Sequence, residues 1–164
     1  MIWGIPGSKL SRPVQTWLRK STSLTRFIGA GVTGLYSLYR LRQLGFSVRA
    51  FEEDGGVGGT WYWNRHPGCR FYSESYTYGY SFSEELLQEW DWKEHYSSSL
   101  ENERYLNFLA DKFDLRRDIR LNSRVVSAVF DEDESRWQVQ LEDGHACGGG
   151  GQRLGRIFAA INLR

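Results

Sequence analysis

Three glycines at positions i, i+2 and i+5 in Phe27-Ile28-Gly29-Ala30-Gly31-Val32-Thr33-Gly34, with a carboxylate further on at Glu52, are the first residues whose types and spacing suggest chemistry. Gly29 suits a tight turn, Gly31 lets the backbone approach a pyrophosphate, and Gly34 lets a following helix pack closely on its strand. Glu52 stands 18 positions beyond Gly34, near the spacing of about 20 at which an acid accepts hydrogen bonds from ribose hydroxyls. A carboxylate there repels a 2′-phosphate and so favours an unphosphorylated ribose. The set predicts adenine-dinucleotide binding, with Gly29, Ala30, Gly31, Thr33, Gly34 and Glu52 as its residues. The competing reading is a βαβ unit that carries no ligand.

These residues meet only if the chain runs strand, turn, helix, strand, and the flanking pattern fits that order. Leu24 to Ile28 reads as the first strand. Arg26 stands where a buried parallel strand prefers an apolar residue, so it is expected to snorkel or to lie near an edge. Leu35, Leu38, Leu41 and Leu44 recur at helical spacing and Gly45 is a natural stop. Phe46 to Phe51 reads as the second strand, delivering Glu52 at its end. Together they describe an α/β, Rossmann-like fold.

Length and composition bound the rest. The chain has 164 residues, suited to one domain, and 40% hydrophobic with 25% charged residues is the balance of a globular protein. A net charge of +1 gives no reason to expect a nucleic-acid or membrane partner. Cys69 and Cys147 are too few and too far apart for a disulfide framework or a metal cluster, so no metal site is expected and a reducing, cytoplasmic setting is the default. Aromatic residues reach 15%, which could wall a ring-shaped cofactor, although such residues more often fill a core. Residues 1–23 are basic, serine-rich and acid-free. That composition shares features with a transit peptide, but Pro6, Gly7 and Pro13 interrupt a long amphipathic helix, and a flexible leader outside the folded domain is expected.

Downstream, Asp54-Gly55-Gly56-Val57-Gly58-Gly59 runs into Thr60-Trp61-Tyr62-Trp63-Asn64-Arg65-His66-Pro67-Gly68-Cys69-Arg70. A glycine-rich loop lets backbone approach a phosphate or a ring where side chains are missing. Tyr62 and Trp63 are expected to pack in the core, and His66 to be a partly exposed loop residue. Ser81 with Glu84, and Ser98 with Glu101, read as capping boxes for two helices, the second with Tyr105, Leu106, Leu109 and Phe113 on one side. Arg116, Arg117 and Asp118 are expected to decorate a solvated helix end. Val126 to Phe130 and Trp137 to Leu141 read as a hairpin. The acids Asp131 to Glu134 between them lack the spacing of a calcium loop and suit a solvated turn.

The run GVGGTWYWNRHPGCR, then ESYTYGYSFSEELLQEWDW and RYLNFLADKFDLRRDI, resembles the FAD-binding region of the Baeyer–Villiger monooxygenases, within the class B flavin monooxygenases. The resemblance extends from about Phe27 to about Gly144. It implies FAD as cofactor, with Gly58, Gly59, Thr60 and Trp61 passing along the flavin, Tyr78 beside it, and backbone atoms of Val125 near the adenine. It also implies NADPH and oxygen as co-reactants and a ketone converted to an ester or lactone. Arg70 matches an arginine beside the family's active-site acid. Two positions later the family has an aspartate near flavin and nicotinamide, whereas this chain has Tyr72, a phenol that stays neutral at pH 7 and whose bulk could intrude on the flavin.

Beyond Gly144 the family would continue to a strand ending in an Ala-Thr-Gly turn and a second glycine fingerprint. Here His145-Ala146-Cys147 leads into Gly148 to Gly151, read as a flexible, divergent tail over 145–164, with Ile157 to Ile161 able to add one strand. The expected organisation is therefore a leader (1–23), a partial FAD-binding domain (24–144) and that tail, in a fragment without monooxygenase turnover of its own. Two other functions compete. One is a non-catalytic dinucleotide-binding or partner-dependent module that self-associates through exposed strand edges. The other is part of a class B flavin N-hydroxylase.

Overall fold

Strand β1 (Leu24–Ile28) sits inside a parallel sheet, with β2 (Val48–Phe51) on one side and β7 (Leu154–Ala159) on the other. The short strand β3 (Ile119–Arg120) extends the sheet beyond β2, giving the order β3-β2-β1-β7. A second sheet is antiparallel, formed by β4 (Val125–Asp131), β5 (Arg136–Leu141) and β6 (Ala146–Cys147) in that order. This computed structural model describes residues 24–133, 136–144, 146–147 and 154–159. The expected leader 1–23, the Gly148–Gly151 linker and Glu134 of the acidic turn lie outside the described residues.

Helix α1 (Val32–Gln43) makes the crossover from β1 to β2, and it buries Gly34, Leu35 and Leu38 as the leucine spacing predicts. The loop after β2 leads through the one-turn helices α2 (Thr60–Trp63) and α3 (Ser75–Tyr78) to α4 (Glu84–Glu89) and then to the long α5 (Ser99–Lys112). On α5, Tyr105, Leu106 and Leu109 are buried and Phe113 packs partly against them. The core joins these side chains to Phe27, Leu35, Leu38, Val48 and Ala50, so it lies between the parallel sheet, α1 and α5. Arg42 fastens the two helices: its Nη1 donates to the carbonyls of Phe113 (3.2 Å) and Asp114 (2.6 Å), and its Nε lies 3.5 Å from Asp118.

Many of the aromatic residues pack in or against this core. Tyr39 stacks on Phe82 and meets Phe113, while Tyr105 contacts Tyr80, Trp90 and Trp92. The buried Tyr105 hydroxyl accepts the Tyr80 amide at 2.8 Å, and burial pushes its pKa up to about 12, so it remains a neutral phenol.

Several expectations need correction. Arg26 neither snorkels nor lies at an edge: it is buried on an interior strand, with its guanidinium 5.8 Å from the centroid of the Phe51 ring. Ser83, rather than Ser81, caps α4, its hydroxyl accepting the Leu86 amide. Ser98 caps α5 as expected, but Glu101 turns to the Lys93 amide (2.8 Å) and does not complete the box. The second strand starts at Val48, two residues late. Trp63 is 54% exposed and not in the core. Residues 116–118 form a 3-10 turn after α5 in which, as expected, none of the three is buried, while Arg116 also reaches Asn107 and Asp111. Ala146 and Cys147, assigned to a flexible tail, extend the hairpin to a third strand. The tail strand takes the expected place beside β1, over Leu154–Ala159.

Candidate functional site: a dinucleotide crevice at the end of the parallel sheet

The crevice is built from the turn between β1 and α1. Gly31 precedes the helix without a side-chain cap, and no acid occupies the first turn, so the opening amides of α1 keep their partial positive charge for a ligand. A Cβ placed on Gly34 would lie 2.1 Å from the carbonyl oxygen of Gly29. Helix and turn therefore approach to a distance that only glycine permits, as the fingerprint predicts. Ala30 is buried and Thr33 exposed on the same turn.

Glu52 arrives at the end of β2 and points into this turn. Its Oε2 accepts the Ala30 amide at 2.5 Å, its Oε1 accepts the Asp54 amide at 3.2 Å, and the residue is 2% exposed. Burial raises its carboxyl pKa above the usual 4.5, partly countered by the Ala30 and Asp54 amides and reinforced by the Asp54 carboxylate. The acid thus lies at the middle of the glycine turn, where a ribose bound there would present its hydroxyls.

The second glycine loop is fastened to the first, the Gly58 amide donating to the Ala30 carbonyl at 3.2 Å. Gly58 (φ 138°) and Gly59 (φ 57°, ψ −119°) both take backbone conformations that side chains disfavour, which lets the chain turn sharply into α2. Trp61 is buried there, its indole N–H donating to the Tyr78 hydroxyl, and Phe71 packs edge-on against Trp61 and at 4.3 Å from the Tyr78 ring. Burial raises the Tyr78 pKa as well, so its hydroxyl stays protonated. The Thr60 hydroxyl accepts the Asn64 amide at 2.8 Å and keeps its own proton to donate. Tyr80, which sequence reasoning passed over, donates its hydroxyl to the Val32 carbonyl at 2.5 Å and ties the aromatic layer to the start of α1. Nothing local marks it, because its partner is 48 residues away.

Gly29 to Gly34, Glu52, Gly58 to Trp61 and Tyr78 are therefore brought together. Arg70 and Tyr72 flank Phe71, which packs on Trp61 and Tyr78. Arg70 pairs with Glu94 and donates to the Tyr96 carbonyl at 3.0 Å. Tyr72 is 91% exposed with its ring against Phe71. Tyr72→Asp is accordingly expected to change unfolding free energy by less than about 0.5 kcal/mol in urea titration; a larger loss would mean that the ring packs in solution. Val125 pairs with Leu141 at the start of β4, two residues beyond Ser123, whose amide donates to the Glu52 carbonyl. Its placement is at the Glu52 end of the crevice. His66 is exposed, its ring nitrogen near the Pro67 carbonyl. Among the described residues no cluster of His, Cys, Asp and Glu is arranged to hold a metal, and no helix is long and apolar enough to cross a membrane.

Residues 28–88 match the family model of an NAD(P)-binding Rossmann-like domain. The acetone monooxygenase (methyl acetate-forming) of Gordonia sp. is 54% identical over 117 residues, which is 71% of this chain and 22% of that protein. A Baeyer–Villiger monooxygenase of Pseudooceanicola batsensis is 42% identical over 118 residues, again 71% of this chain and 22% of the relative. Among solved structures, OTEMO in complex with FAD and NADP superposes with a TM-score of 0.76 at 38% identity, covering 87% of this chain and 26% of that one. The chain thus spans about a fifth of the length of the curated relatives it matches. Over this dinucleotide-binding region the chain is similar to Baeyer–Villiger monooxygenases.

Proposed function

We propose that the crevice binds FAD, and that this region serves as the FAD-binding part of a monooxygenase that uses NADPH and oxygen to convert a ketone to an ester or lactone. The observation that carries the reading is the Glu52 carboxylate held at the Ala30 amide, inside a glycine turn that opens on an uncapped helix. In that reading Glu52 accepts the ribose hydroxyls and the first amides of α1 face the pyrophosphate. Gly58, Gly59, Thr60 and Trp61 line the way toward the flavin ring, with Tyr78 fixing the Trp61 indole. FAD, when bound, supplies the redox and oxygen chemistry; the residues of this chain bind and orient it. Arg70 and the exposed Tyr72 lie on the side where flavin and nicotinamide meet in the family, and the ketone is the partner that the family's chemistry takes.

Titrating the purified 164-residue chain with FAD tests this directly. Saturable binding with a protein-perturbed flavin spectrum is the expected result. A soluble, colourless dimer that leaves the flavin spectrum unchanged would instead support an interaction module.

A further inference from the structure

Away from the dinucleotide crevice, the segment after α4 and the first half of α5 line a cavity of about 380 Å³, within the range of about 300–1,000 Å³ found for small-molecule sites. Ser98, Glu101 and Arg104 enter it from α5 at three-residue steps, which places them along one helix face. Trp90 lines it from the segment after α4. None of the lining residues belongs to the glycine turn, to Glu52 or to the second glycine loop.

Two of these residues carry polar atoms that are closed to bulk water and bonded to nothing. Glu101 is 8% exposed; its Oε1 accepts the Lys93 amide at 2.8 Å, while its Oε2 has no hydrogen-bond partner. The Trp90 indole Nε1 is a donor in the same condition, and its ring is held in place by Trp92, Tyr105 and Phe108. A buried polar atom left unpaired is costly, and folded proteins keep few of them unless a ligand or a water completes the site.

The charges around the cavity narrow what can complete it. Lys93 lies 2.6 Å from Asp91, Lys112 lies 2.8 Å from Glu89, and Arg70 pairs with Glu94. Of the charged lining, among the described residues, the Glu101 carboxylate and the Arg104 guanidinium remain without an ion pair. They stand one turn apart on the same helix with opposite signs. A lone cation would satisfy Glu101 but leave the guanidinium and the indole N–H, both donors only, without an acceptor; a lone anion would do the reverse. The complement is one small molecule that presents an ammonium beside a carboxylate.

We propose that this cavity binds a free α-amino acid, its ammonium against Glu101 Oε2 and its carboxylate between the Arg104 guanidinium and the Trp90 indole N–H. An α-amino acid carries both charges on one carbon, and its side chain takes the space beside the Trp90 ring. Binding makes and breaks no covalent bond, and the inference does not depend on the flavin reading.

Calorimetric titration of the full chain near pH 7 tests it with three probes. L-Leucine carries both charges, N-acetyl-L-leucine lacks the ammonium, and L-leucinamide lacks the carboxylate. Leucine should saturate with a Kd of about 1 mM or tighter, and each analogue should bind at least about tenfold more weakly. Glu101→Gln keeps an oxygen for the Lys93 amide; it should weaken leucine about tenfold and leave N-acetyl-L-leucine no weaker. Arg104→Gln, at an exposed position, should weaken leucine alike and leave L-leucinamide no weaker. The probe series on the wild-type chain needs neither variant to fold. Failure to saturate by about 10 mM leucine overturns the proposal. An analogue that binds as tightly as leucine overturns it too, since one charge would then suffice. Leucine affinity unchanged in either variant would place the amino acid elsewhere and overturns it as well.

Discussion

Gly34→Ala should lower the thermal midpoint by about 10 °C and weaken FAD binding by at least about tenfold, the largest effect expected of a single methyl group in this molecule. The added Cβ meets the Gly29 carbonyl oxygen at 2.1 Å and its carbon at 3.0 Å. Both atoms are backbone, so no rotamer change relieves the contact. Helix α1 must instead move off the turn, and overpacking of this kind typically costs about 1–3 kcal/mol. The same movement carries the amides of Val32 and Thr33 away from the position where a pyrophosphate would sit. Calorimetry and flavin titration on one preparation check both halves. An unchanged midpoint would show that helix and turn are not in contact, and unchanged affinity with a lowered midpoint would place the phosphates elsewhere.

Glu52→Gln is expected to move stability and binding in opposite directions. The folded-state pKa of Glu52 is raised above 4.5, so the folded chain favours the protonated acid. The stability it contributes is fully present below about pH 4.5 and is lost as pH rises through the folded-state value. A neutral amide removes that loss; its oxygen still accepts the Ala30 amide, while its nitrogen cannot accept the Asp54 amide, a cost that does not vary with pH. Urea unfolding of the variant should therefore gain on wild type as pH rises from about 4 to about 8. Binding should fall by about ten- to a hundredfold at pH 8, because the amide nitrogen cannot accept from a ribose hydroxyl and the remaining bond loses its charge assistance. A variant that binds FAD like wild type would remove Glu52 from the ribose site.

The fingerprint, the crossover helix and the hairpin were legible because each rests on local pattern. Leu35 and Leu38 bury where the helical period puts them, although Leu44 at its end is exposed, and Gly34 shows its reason only a few residues away, at Gly29. What escaped depends on distant partners. Arg26 reads as misplaced in a buried strand until Phe51 is seen beside it. Tyr80 has no local mark of its bond to Val32. Ser81 and Ser83 both precede Glu84, and only backbone geometry at Ser83 decides which is the cap. Ala146 and Cys147 are too short a segment to announce a strand, and they become one because β5 offers a free edge.

The parallel pairing of β1 carries a consequence for synthesis. Its second neighbour, β7, is made about 130 residues after it, so Ile28 cannot meet Ala159 until almost the whole domain has emerged from the ribosome. Until then one long side of β1 stays open, with Phe27 and Ile28 on the nascent chain able to recruit other strands. Pairing with β7 ends this exposure, and a chaperone that shields extended apolar segments would act on that interval.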